Sequence, residues 1–157
     1  MKPIRILIAD KLAPEGAAFL ESQEGVEVLV QTGLSEEDLV STLADVDGVI
    51  VRSAVKLPED TLKRVFASPE ARLRGIARAG VGVDNIAVDK ATEQGIVVTY
   101  VPDYCVDEVS DHVIALILAW NRRIVLFDTA TKNKGWGVEG LGMRMMRLRG
   151  KVMGIVG

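Results

Sequence analysis

The sequence predicts an α/β fold, a doubly wound sheet of parallel strands. The prediction rests first on alternation: short aliphatic runs take turns with segments that open on helix-start residues. A run such as Ile4–Ala9 (IRILIA), apolar at nearly every position, suits a strand buried on both faces. Strands that alternate with helices pair in parallel. Composition agrees, because 48% hydrophobic and 26% charged residues in a chain of 157 describe a globular protein rather than a disordered one.

Each element has its own signal. After Ile4–Ala9, Pro14 opens a short helix at a position where its missing N–H costs nothing, and Gly25 ends it. Val26–Val30 is the second strand. Ser35 starts the next helix, with Glu36, Glu37 and Asp38 at its positive end and Leu39 and Leu43 as its apolar stripe. Gly48–Val51 is the third strand, and Pro58 opens a helix to about Phe66. Leu73–Ala77 is the fourth strand and runs into the glycine loop Gly80–Gly82. A helix over Val88–Gln94 stops at Gly95. Ile96–Thr99 is the fifth strand, closed by Pro102, where a domain boundary is expected.

Beyond Pro102 the pattern changes. Val106 to about Phe127 reads as one long helix, apolar nearly all round, which predicts burial between two domains or two subunits. Asn133–Gly142 reads as an irregular arm around Trp136, followed by Met143, Met145 and Met146 as soft apolar contacts. Lys151–Val156 (KVMGIV) reads as a new buried strand, ending at Gly157.

A net charge of −3 argues against nucleic acid as a partner. The single cysteine, Cys105, has no internal disulfide partner and suits a reducing cytoplasm. The run Val113–Trp120 is far shorter than the roughly 20 apolar residues that span a bilayer, and MKPIRILIAD is too short an apolar run for a secretory signal. The expected protein is soluble and cytoplasmic, with no membrane partner and no metal.

The chemistry points to Gly75–Ile86 (GIARAGVGVDNI). In a parallel sheet, ligands lie beyond the carboxyl ends of the strands, where this loop falls. Its glycines let the backbone approach a bound group, and successive N–H groups there form a nest suited to a carboxylate. A tight strand-to-helix turn capped by Asp84 or Asn85 is an equal alternative from spacing alone.

The motifs AGVGVDN and ATEQGIVVTYVP, with VRSA upstream, resemble the D-isomer-specific 2-hydroxy-acid dehydrogenases, a group that includes phosphoglycerate dehydrogenases and the C-terminal-binding proteins. The resemblance covers nearly the whole chain and is weakest before Gly48. It implies a flavodoxin-like substrate-binding domain over residues 1–101. Residues 102–157 would then hold an interdomain and dimerisation helix, an arm, and the first strand of a Rossmann NAD-binding domain. It implies hydride transfer between NAD and a D-2-hydroxy acid or its 2-keto acid, with NADP open as the cofactor. Phosphoglycerate, glycerate, glyoxylate and lactate dehydrogenases all share these motifs.

Roles follow residue by residue. Ala79, Gly80, Val81 and Gly82 resemble the loop whose backbone binds the substrate carboxylate, with Val81 at the nicotinamide end. Arg52 and Ser53 match the family's VRS and face the same cleft, where a guanidinium pairs well with a carboxylate or phosphate. The competing role for Arg52 is a surface ion pair. Tyr104 and Cys105 are implied to line the entrance between domains beside the cofactor, and Cys105 reads as a partly buried thiol without special reactivity. Gly157 matches the first glycine of the dinucleotide fingerprint. His112, beside Asp111, reads as a core or interface histidine. The family's acid/base histidine and its arginine and acidic partners come from later segments, so residues 1–157 alone are expected to be inactive. A homodimer through residues 106–127 and the arm around Trp136 is implied. Two other functions stay open: a non-catalytic co-repressor-type module of the same family, and a signalling receiver domain, whose opening, with acids after the first strand, Ile6–Asp10 (ILIAD) resembles. Arg52 stands where a receiver needs its phosphoacceptor.

Overall fold

A computed structural model describes residues 2–135 and 145–156. The chain divides into two compact units, the first ending at Tyr104 and the second beginning at Cys105.

The first unit runs β1 (Ile4–Ile8), α1 (Pro14–Glu21), β2 (Val26–Val30), α2 (Glu36–Asp45), β3 (Gly48–Val51), α3 (Glu59–Phe66), β4 (Gly75–Arg78), α4 (Val88–Glu93) and β5 (Val97–Tyr100). The five strands are parallel, in the order β2-β1-β3-β4-β5. This is the flavodoxin-like doubly wound order, so the predicted fold class of this unit is the observed one.

Local sequence explains the elements. Pro14 opens α1, and the chain turns into β2 through Gly25, whose φ of 77° is open to glycine at little cost. Ser35 caps α2, its Oγ accepting the Asp38 N–H at 3.2 Å. Helices α2, α3 and α4 turn Leu39, Leu43, Leu62, Val65 and Ala91 onto one face of the sheet, against Leu7, Val49, Val51 and Ile76. The other face is covered less fully. A shallow apolar depression of about 290 Å³ stays open over its middle, lined by Leu20, Ile50, Ala77, Val97 and Thr99 among others.

Two strands start later than the sequence suggests. Buried Leu73 lies ahead of β4 rather than in it, because the Arg74 and Gly75 N–H groups both turn to the Asp47 carbonyl, at 2.9 and 3.2 Å. β5 begins at Val97 rather than Ile96, and β1 ends at Ile8 rather than Ala9.

The second unit departs further from expectation. The predicted single helix is two, α5 (Val106–Asn121) and α6 (Ile124–Lys132). Arg123 breaks it by taking a left-handed conformation, φ 55°, with its guanidinium 4.8 Å from the centre of the Trp120 ring. The expected burial is not met within the chain: Val109, Leu116 and Trp120 are each more than half exposed. Lys151–Val156 forms no strand and is exposed. A strand needs a neighbour for its backbone groups, and the second unit contains no other strand among the described residues. Trp136, Met143 and Gly157 lie outside the described residues.

Candidate functional site

The carboxyl ends of β1, β3, β4 and β5 share one edge of the first unit, and most of the candidate residues follow them. β3 and β4 are neighbours, with Val51 paired to Arg78. Arg52 and Ala79 are therefore the first residues past the paired region, and the Ala79 N–H donates to the Val51 carbonyl at 2.9 Å. Pairing thus brings Arg52 and Ser53 beside Ala79–Gly82.

The glycine loop is tightly folded at its start. The Gly80 N–H donates to the Arg78 carbonyl at 2.9 Å, and the Gly80 carbonyl accepts from Val101 N–H at 3.1 Å, past the end of β5. Gly80 is buried, whereas Val81 and Gly82 are exposed. The N–H groups of Val81 and Gly82 meet no acceptor among the described residues. At Gly80 a Cβ would fall 1.7 Å from Arg78 Nη1 and 2.6 Å from its Cζ, so only glycine lets the guanidinium lie over the loop. Arg78 Nε is buried and without a hydrogen-bond partner. The edge therefore offers two free amides and a folded-back guanidinium, with a second, exposed guanidinium on Arg52.

Arg52 makes no ion pair among the described residues; its Nη1 donates to the Lys11 carbonyl at 3.3 Å. Its backbone is held more firmly. Asp10 Oδ2 accepts from the Arg52 and Val55 N–H groups at 2.8 and 3.0 Å. The Asn85 amide donates to the carbonyls of the same two residues at 2.8 and 2.7 Å. Asn85 is thus not a helix cap. α4 begins at Val88 with no side-chain cap, and Leu57 and Ile86 bridge the two loops.

Tyr104 ends the first unit, more than half exposed, and Cys105 is a half-buried free thiol at the start of α5. His112 is exposed on α5, so it is not a core histidine of this chain. Gly157 lies outside the described residues. No cluster of metal-ligating side chains occurs among the described residues, and no described helix is long and apolar enough to cross a membrane.

Three participants were not singled out by sequence reasoning. Arg78 stands inside the motif, but the motif's signal lies in the glycines after it. The sequence marks Asp10 only as an acid after a strand, and Asn85 only as a candidate cap. The available signal was that an acid directly after a buried strand needs partners.

Fold and edge together define a class, the doubly wound α/β domains whose carboxyl edge presents an open glycine loop. More narrowly, the chain belongs to the D-isomer specific 2-hydroxyacid dehydrogenases: the model of that family's catalytic domain matches residues 6–143. It is 34% identical over 154 residues to a D-3-phosphoglycerate dehydrogenase of Archaeoglobus fulgidus, covering 98% of this chain but 28% of that protein. The chain thus spans just over a quarter of that relative's length. Among solved structures, the PH0520 protein of Pyrococcus horikoshii superposes with a TM-score of 0.74 at 25% identity, over 94% of this chain and 43% of that one. The NAD+-bound 3-phosphoglycerate dehydrogenase of Entamoeba histolytica does so with a TM-score of 0.61 at 26% identity, over 74% and 39%.

Proposed function

We propose that this chain supplies the substrate-binding wall of an NAD-dependent oxidoreductase that interconverts a D-2-hydroxy acid and its 2-keto acid, of the phosphoglycerate dehydrogenase kind. The observation that carries the reading is the pair of free amides at Val81 and Gly82, beside Arg52 at the carboxyl edge. Two successive unpaired N–H groups and a guanidinium suit a small carboxylate. Arg78 adds a second positive charge, which suits an acid carrying a further anionic group. In this reading residues 1–101 form the substrate-binding domain. Residues 102–157 contribute the interdomain helix, the arm and the lead into a Rossmann domain.

Val81 would meet the nicotinamide end of NAD, with Tyr104 and Cys105 nearby and Gly157 at the pyrophosphate turn. NAD is the cofactor named in the Entamoeba structure. When bound, the dinucleotide would accept the hydride from the hydroxy acid, or in its reduced form return it to the keto acid, while residues 79–82 and Arg52–Ser53 would orient the acid. The described residues fit only the nicotinamide end, since Lys151–Val156 forms no strand to seat a pyrophosphate. The first unit has no histidine to exchange a proton with the substrate oxygen, and the chain's one histidine, His112, lies on α5 of the second unit; residues 1–157 alone are expected not to turn over. The exposed apolar face of α5 and α6 makes a homodimer the expected assembly.

The test is a titration of the isotope-labelled chain with D-3-phosphoglycerate, glyoxylate and D-lactate, followed by amide shifts, together with a turnover assay on NADH and 2-keto acids. Shifts are expected at Arg52, Ser53, Val81 and Gly82, with no turnover. Shifts confined elsewhere, or clear turnover by the chain alone, would overturn the reading.

A further inference from the structure

Asp10 lies two residues past β1 and is 8% exposed, yet the carboxylate-binding reading gives it no task. A buried carboxylate is costly without partners, so its partners indicate its use. Both are backbone amides of one loop, Arg52 N–H at 2.8 Å and Val55 N–H at 3.0 Å, and one oxygen serves both. Hydrogen bonds to an ionised acceptor are roughly twice as strong as neutral ones. The Asn85 amide in turn donates to the two carbonyls of the same residues. The donors and acceptors at both ends of a four-residue loop are thus held by side chains from outside it. The loop's own side chains at Arg52, Ser53 and Ala54 stay exposed. A binding group is useful only when its support holds it to within about 0.5 Å.

We infer that Asp10 is a positioning residue, whose buried carboxylate, together with the Asn85 amide, fixes the backbone of residues 52–55 so that Arg52 and Ser53 face an anionic acid bound at the glycine loop. The inference rests on the proposed anion site, and its test separates the two. Wild type, Asp10→Ala, Asp10→Asn and Val65→Ala are titrated with D-3-phosphoglycerate by amide NMR, with urea unfolding alongside.

The expected loss of affinity is about tenfold for Asp10→Ala and about threefold for Asp10→Asn, which keeps a carbonyl oxygen to accept from the loop. Val65→Ala, a truncation in the core under α3, lowers the urea midpoint and leaves affinity unchanged. Binding by wild type with equal binding by Asp10→Ala overturns the positioning role alone. So does an equal loss in Asp10→Ala and Val65→Ala, which marks general destabilisation. If Asp10→Ala does not fold, Asp10→Asn decides: wild-type affinity with unmoved Arg52 and Val55 amides overturns the role. No binding by wild type overturns the anion site itself, and the inference with it.

Discussion

Single residues divide between the two ends of the sheet. At the carboxyl edge Asp10 and Asn85 hold a loop, whereas at the amino edge Asp47 ties strands together. Asp47 Oδ2 accepts from the Arg5 N–H at 2.9 Å and from Arg72 Nη2 at 2.6 Å, and Oδ1 accepts from Arg72 Nε at 3.3 Å. Burial alone would raise its pKa. The Arg5 amide, the Arg72 fork and the charge of Arg74 outweigh that and hold it below the usual 3.8. A carboxyl depressed in the folded state stabilises fully above its unfolded value and loses that contribution as pH falls through the folded one. Asp47→Asn should therefore cost about 1–3 kcal/mol at neutral pH. The difference should hold down to the ordinary value of 3.8 and close only below it. Urea unfolding across a descending pH series measures this, and a gap that closes near neutrality refutes it. The charge was legible in the sequence but its partners were not, because Arg5 and Arg72 are brought to it only by strand pairing.

At the scale of elements, legibility followed how local the cause was. β2 and β3 stand at their predicted bounds because short aliphatic runs between turn residues leave few alternatives. Ser35 announced α2 by its own cap. The α5–α6 break was not legible: Ile124, Val125 and Leu126 continue the apolar pattern, and neither glycine nor proline interrupts it. At the break Arg123 takes a left-handed conformation, φ 55°, and its guanidinium lies 4.8 Å from the centre of the Trp120 ring. Beside it, Asn121 is 4% exposed and brackets Met146, its Nδ2 donating to the Met146 carbonyl at 2.9 Å and its Oδ1 accepting the Met146 N–H at 3.1 Å. These two bonds tie the segment from Met145 onward to the end of α5. Asn121→Ala should speed amide exchange at Met146 about tenfold while leaving exchange in β1 and β3 unchanged. Unaltered protection at Met146 would show that the bracket does not hold the segment.

For the whole molecule, two apolar surfaces compete to explain how copies would associate. One is the depression on the sheet, with Val97 63% exposed. The other lies on α5 and α6, where Leu116, Trp120, Ile124 and Val125 are 57%, 60%, 55% and 71% exposed. Leu116 and Trp120 are four residues apart and share one helix face. With Ala119, Val125 and Leu126 they line an apolar hollow of about 270 Å³. A contiguous patch of this kind marks an interface, and a face that meets its own copy about a twofold axis closes as a dimer. Two acids placed there would have to be buried without partners, which costs several kcal/mol. The chain should therefore sediment as a dimer, and Leu116→Glu with Trp120→Glu should give a monomer with an unchanged far-UV spectrum. Val97→Glu should leave the dimer intact. A monomeric wild type would remove the dimer altogether. Dissociation by Val97→Glu but not by the helix variant would move the interface to the sheet, leaving the α5–α6 face to some other contact.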